Sequence, residues 1–221
     1  MSAPLRLAIF DVDGTLVDSQ KLIVASMKAA FDTVGLDCPA RSEILGVVGL
    51  SLPIAIEGVC PEATPGQLDR MVEAYKVAYS TERLDDRLSS PFFPGARKTL
   101  DVLWEVPEVL LGVATGKSRR GLDLLIEAHD LNGRFVTQQT ADHHPSKPHP
   151  SMVLTALSEV GIDAANAVMI GDTSFDMEMG RAAGVRCVGV SWGYHDPDRL
   201  RASGADVIVD DFEALPSVLW G

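Results

Sequence analysis

Five short apolar runs punctuate the chain, and each stops abruptly at a polar residue or glycine. Residues 7–10 (LAIF) end at Asp11, 109–114 (VLLGVA) at Thr115 and 167–170 (AVMI) at Gly171. Residues 185–190 (VRCVGV) end at Ser191, and 206–209 (DVIV) at Asp210. Runs of this length with few polar interruptions fit strands covered on both faces, as in a parallel sheet. The segments between them change period. Val153, Ala156, Leu157 and Val160 fall at helical spacing, with Gly161 placed to end the helix. Leu122, Leu125, Ile126 and His129 repeat that spacing after Ser118, a suitable N-cap. Alternating strands and helices predict an α/β fold, a Rossmann-like parallel sheet flanked by helices. Ligands of such sheets sit beyond the carboxyl ends of the strands, and Asp11, Thr115 and Asp172 all lie at predicted ends.

The alternation breaks between residues 17 and 90. Ile23, Met27, Phe31 and Val34 form one apolar helical stripe ended by Gly35, and Leu68, Met71, Val72, Tyr75 and Tyr79 form another. Thr64-Pro65-Gly66-Gln67 opens the second with a cap, a first-turn proline and a capping-box glutamine. No strand pattern lies between. The expected organisation is therefore a core domain of residues 1–16 and 91–221 with an all-α domain, 17–90, inserted after the first strand.

With 221 residues, 46% of them hydrophobic, the chain can bury a full core. A formal charge of −12 argues against nucleic-acid or anionic-membrane partners, while a local metal or cation could still attract a small anion. Cys38, Cys60 and Cys187 are odd in number and widely spaced, which argues against a disulfide framework or a zinc site. The first apolar run is too short for a signal peptide, so a cytoplasmic protein is expected.

The candidate chemistry lies at the strand ends. Asp11 and Asp13, two apart on an extended segment, face the same way and could converge on one cation. A calcium loop of the DxDG kind is disfavoured, because a strand precedes it and Leu22 stands where a closing acid is needed. Gly171-Asp172-Thr173-Ser174-Phe175-Asp176 places two more acids one helical turn apart. Thr115-Gly116-Lys117-Ser118 offers a hydroxyl and free N–H groups at a helix start, a cradle for phosphate; the first glycine of a P-loop is missing, since Leu111 stands there. Lys147, between Ser146 and Pro148, could bridge a carboxylate and an anion.

In this order Asp11-Val12-Asp13-Gly14-Thr15, Thr115, Lys147 and Gly171-Asp172 with Asp176 resemble the four motifs of the haloacid dehalogenase superfamily. Within it the chain looks like the phosphoglycolate phosphatase-like branch, whose helical cap follows the first motif. The resemblance implies a magnesium-dependent phosphatase acting on a small phosphomonoester. Asp11 would be the nucleophile that forms an aspartyl-phosphate, and Asp13 the general acid and base. Thr115 and the N–H groups of Val12 and Gly116 would hold the phosphoryl oxygens, and Lys147 would neutralise charge. Magnesium would take Asp11, the backbone carbonyl of Asp13, Asp172 and, directly or through water, Asp176. A sugar-phosphate phosphomutase is the alternative, with a pyrophosphatase or phosphonate hydrolase behind it. Gly49-Leu50-Ser51 is the expected substrate-facing loop of the cap, and Arg83 and Arg87 are further cationic candidates. The implied partner is a small phosphorylated metabolite, with the protein a monomer or homodimer.

Overall fold

The apolar run before Asp11 forms β1 (Arg6–Phe10), the strand on which the sheet is organised. The computed structural model describes residues 4–82 and 90–220. Strands β2 (Val109–Thr115), β3 (Thr137–Thr140), β4 (Ala167–Gly171), β5 (Arg186–Val190) and β6 (Val207–Val209) complete a six-stranded sheet in the order β3-β2-β1-β4-β5-β6. Every pairing is parallel. The strand order reverses at β1, which opens a crevice at its carboxyl end. Register does the rest. Phe10 lies opposite Val113 and Ile170, so Asp11, Thr115 and Asp172 emerge at one edge.

Alternation along β1 sends successive side chains to opposite faces. Ala8 and Phe10 pack with Leu100 and Leu103 of α5 (Ala96–Trp104), Leu122 and Ile126 of α6 (Arg119–Ala128), and Leu215 of α10 (Leu215–Val218). Leu7 and Ile9 pack instead with Met152, Val153 and Ala156 of α7 (Ser151–Val160) and Met179 of α8 (Ser174–Ala183). Helix α9 (Pro197–Ala202) adds Leu200 to a small cluster beyond β5. Removing a side chain such as that of Phe10, which is fully buried, would cost about 3–5 kcal/mol.

Four helices fill the interval after β1: α1 (Gln20–Val34), α2 (Arg41–Leu45), α3 (Leu52–Val59) and α4 (Pro65–Glu82). They share an apolar cluster of their own, built on Ile23, Met27, Phe31, Ile44, Ile56 and Met71. Gly35 and Gly161 end α1 and α7 in the left-handed conformation, as their positions predict. Gln67 ties back the start of α4, with the Thr64 N–H and hydroxyl both donating to Gln67 Oε1. The chain leaves for these helices and returns at adjacent points. Val17 and Phe92 form an antiparallel bridge, the Asp18 N–H donates to the Pro91 carbonyl at 2.8 Å, and the Phe93 N–H donates to the Leu16 carbonyl at 3.0 Å.

Three elements depart from the sequence pattern. Strand β3 reads Thr-Gln-Gln-Thr and has no apolar run, because Glu159 of α7 satisfies its polar side chains: Thr137 Oγ1 and Gln139 Nε2 donate to it at 2.5 and 2.7 Å. Helices α2 and α3, of 5 and 8 residues, are too short to repeat an apolar stripe over several turns. His129 lies just beyond α6 rather than on its apolar stripe, where its ring packs at a tilt against Phe92 with centroids 4.2 Å apart. The three cysteines are unpaired, and among the described residues no helix is long and apolar enough to cross a membrane.

Candidate active site

At the end of β1 the Asp11 N–H donates to the Ile170 carbonyl at 2.9 Å, and this bond aims the side chain into the crevice. The carboxylate is 1% exposed. Lys147, from the loop before α7, brings its Nζ within 2.8 Å of Asp11 Oδ1 and 2.6 Å of Asp176 Oδ1. Its well-directed hydrogen bond goes to Asp176, and neither oxygen of Asp11 accepts one from the described residues. Asp172 follows β4 and is held by the Thr15 hydroxyl and the Tyr194 N–H, each at 2.8 Å. Thr173 and Asp176 form the capping box that starts α8, so Asp172 is not the cap. Ligand atoms of Asp11, Asp172 and Asp176 lie within 4.8 Å of one another.

Three buried carboxylates cluster here, and one ammonium contacts two of them. Burial pushes the Asp11 carboxyl from 3.8 up to about 7; Lys147 pulls it down and Asp176 pushes it further up. Burial, then Asp11 and Asp176, raise Asp172 well above the usual carboxylate range against the Tyr194 and Thr15 hydrogen bonds. Burial alone would lower the Lys147 pKa, but Asp11 and Asp176 raise it, so the ammonium stays charged. A cluster of hard oxygens with excess negative charge, including two oxygens that accept no hydrogen bond, fits a hard divalent cation.

This electrostatic excess has a consequence for stability. Folded Asp11 keeps its proton where the unfolded chain has released it, so folding takes up protons between pH 3.8 and about 7. Stability of the chelator-treated protein should therefore fall as pH rises through that window. Thermal unfolding checks this: the midpoint drops by several degrees, and added magnesium restores more of it at pH 8 than at pH 5.

The expectation that Asp11 and Asp13 share one cation through their side chains is corrected here. Extended geometry ends at Phe10, and a tight turn follows in which the Leu16 and Val17 N–H groups both donate to the Val12 carbonyl. Gly14 sits at φ +87, and a methyl there would strike Asp172 and Tyr194. The turn rotates the Asp13 carboxylate away from the cluster. It accepts from Ser19 Oγ at 2.6 Å and pairs with Lys117 Nζ at 2.8 Å. Lys117 also donates to the Tyr79 hydroxyl of α4 at 2.7 Å. Lys117 and Ser19 had no role in the sequence reading. Lys117 lies inside a motif segment and Ser19 just beyond one, and their signal is adjacency alone: Lys117 two residues after Thr115, Ser19 six after Asp13.

Thr115 ends β2 beside Asp11's strand and accepts from the Lys117 N–H at 3.2 Å. The Val12 N–H has no hydrogen-bond partner among the described residues, although the residue is fully buried. The loop Gly49-Leu50-Ser51 does reach this edge. A side chain on Gly116 would strike the Gly49 and Leu50 carbonyls, and the Ser51 N–H donates to Ser146 Oγ at 2.8 Å. Of these three, Ser51 lines the adjoining cavity. Arg83 and Arg87 lie outside the described residues. Beyond β5, Trp192 donates to the Thr15 carbonyl at 3.0 Å, and His195 ties Ser174 to the Gly46 carbonyl. A cavity of about 900 Å³ runs from Asp13 and Lys117 to the helices α1–α4.

Known proteins share this fold and much of its sequence. The haloacid dehalogenase-like hydrolase family matches residues 8–190. The chain is 37% identical to the probable phosphatase IndB of Dickeya dadantii over 95% of its own length and 91% of that protein's. It is 31% identical to a phosphoglycolate phosphatase of Agrobacterium fabrum, covering 99% of this chain and 94% of the other. A hydrolase from Pseudomonas syringae superposes with a TM-score of 0.85 at 26% identity, over 97% of this chain and 99% of that one. With a family match over residues 8–190 and relatives aligned over almost their full length, the chain belongs to the haloacid dehalogenase-like hydrolase family.

Proposed function

We propose that the protein is a phosphatase that hydrolyses a small phosphomonoester through an aspartyl-phosphate on Asp11. The observation that carries this reading is the contrast between the two acids of the first motif. Asp11 is buried beside Lys147 with no hydrogen bond accepted by either oxygen, while Asp13 faces the cavity where a leaving group would depart. One Asp11 oxygen attacks phosphorus, and the bond from phosphorus to the ester oxygen breaks as Asp13 delivers a proton to that oxygen. In the second step Asp13 takes a proton from water, the water oxygen attacks phosphorus, and the acyl-phosphate bond breaks. Phosphate leaves and the Asp11 carboxylate is restored.

Lys147 offsets the charge on Asp11 and on the phosphoryl group between them. The Thr115 hydroxyl and the N–H groups of Val12 and Gly116 hold phosphoryl oxygens. Asp11, Asp172, Asp176 and the backbone carbonyl of Asp13 would hold magnesium, which when bound supplies positive charge to the phosphoryl oxygens. Residues 17–90 act as a cap over the crevice, hinged at the paired crossings near Val17 and Phe92. The names of the relatives support phosphate-ester hydrolysis.

Phosphate release from small esters, with magnesium and with chelator, tests this reading. Magnesium-dependent release is the expected result. Conversion of a sugar phosphate to its isomer without free phosphate would identify a mutase instead, and no turnover of any ester would overturn the proposal.

A further inference from the structure

The cavity beside Asp13 has a wall that a two-carbon or inorganic leaving group does not need. Its volume is about 900 Å³. The far wall is apolar. It is formed by Ile23 and Met27 of α1, Val48 of the loop after α2, and Val72 and Tyr75 of α4. All five belong to the helices' own apolar cluster, in which Ile23 and Met27 are buried while Val48, Val72 and Tyr75 are only half-buried. Tyr75 stacks against Tyr79 with ring centroids 5.9 Å apart and an interplanar angle of 22°, so an aromatic surface borders the same space.

Charge is placed differently. Among the described residues the Lys and Arg side chains that line the cavity are Lys76, Lys117 and Arg120, and none comes from α1, α2 or α3. Lys117 is held by Asp13 and Tyr79. Lys76 pairs with Glu73 at 2.7 Å near solvent, and Arg120 is exposed on α6. A leaving group carrying a carboxylate or a second phosphate would lose hydration against this wall, where among the described residues α1, α2 and α3 supply no Lys or Arg to replace it. A bulky apolar one would gain from the same burial. Because Asp13 lies on the cavity wall, the ester oxygen it protonates must face this space.

We infer that the natural ester carries an uncharged leaving group with a bulky apolar or aromatic body, seated on Ile23, Met27, Val48, Val72 and Tyr75. The inference rests on the phosphatase reading and deepens it. It is tested by phosphate release, with magnesium, from ethyl phosphate, benzyl phosphate, phosphoglycolate and pyrophosphate. Ethyl and benzyl phosphate both release simple alcohols, so the comparison isolates the apolar body. The expected kcat/KM for benzyl phosphate exceeds that for ethyl phosphate by at least about 30-fold, and exceeds those of the two anionic substrates. Val48→Lys and Val72→Lys, checked for folding by thermal unfolding, should collapse the benzyl-to-ethyl ratio towards one. Inhibition of the unaltered protein by benzylphosphonate and ethylphosphonate gives an independent comparison, with benzylphosphonate expected to bind more tightly. Equal use of the two alkyl esters, or preference for an anionic one, would overturn the inference and leave the phosphatase reading standing. No phosphate from any of the four would overturn both.

Discussion

Asp11→Asn removes phosphate release, with kcat falling by about 10⁴-fold or more, because the amide cannot serve as the attacking group and no neighbour replaces it. The same variant should not lose stability at pH 8 without metal. Burial raises the carboxyl's pKa to about 7, so above that pH the native protein holds an unfavourable charge that asparagine lacks. Activity assays and thermal unfolding on one preparation therefore move in opposite directions. A variant that kept activity would exclude Asp11 as the nucleophile. One that lost activity and stability together would place the residue's importance in folding. Functional carboxylates often show this trade-off, since the geometry that chemistry needs is one that folding disfavours.

Lys147→Ala is expected to damage both properties. The ammonium is fully buried between Asp11 and Asp176, and its removal leaves two carboxylates close together without compensation. Breaking a buried pair from one side costs about 3–5 kcal/mol. Loss of a charge positioned on the transferring group costs a further ~10²–10³-fold in kcat. Acid should soften the stability defect, because Asp11 and Asp172, whose pKa values are raised, take up protons and shed the repulsion. Denaturant unfolding of both proteins at pH 5 and pH 8 measures this, and the gap between them should widen at the higher pH. Lys147→Met keeps most of the volume without the charge. If Met restored the stability of the native protein at pH 8, the defect would be one of packing rather than charge.

The sheet and the acids at its edge were legible in the sequence because both rest on local patterns. A buried parallel strand needs an apolar run, and a strand end that binds ligands must break it with a polar residue, so Asp11, Thr115 and Asp172 announced themselves. Strand β3 did not, because its burial is balanced by Glu159, a residue some twenty positions away whose contribution no window reveals. Lys117 was hidden for a related reason. Its partner Asp13 and its neighbour Tyr79 come from distant parts of the chain, and Tyr79 read simply as one apolar position on α4. The direction of Asp13 differs from the alternation because alternation holds only while the backbone is extended, and the turn closed on the Val12 carbonyl begins two residues after Phe10. The loop at Gly49 could be placed near the site, but its backbone contact with Gly116 depends on a tertiary approach with no sequence period.

The adjacent crossings at Val17 and Phe92 bear on how this molecule can be re-engineered. Two chain ends already hydrogen-bonded to each other close a loop at a cost that grows only slowly with the length of what lies between them. Chain closure therefore places few demands on the inserted sequence beyond the spacing of its ends, so the demands that remain are the local ones of Ser19 on Asp13 and Tyr79 on Lys117. Transplanting a foreign helical segment between these two points is a route to a new substrate range in which the catalytic acids need not be touched.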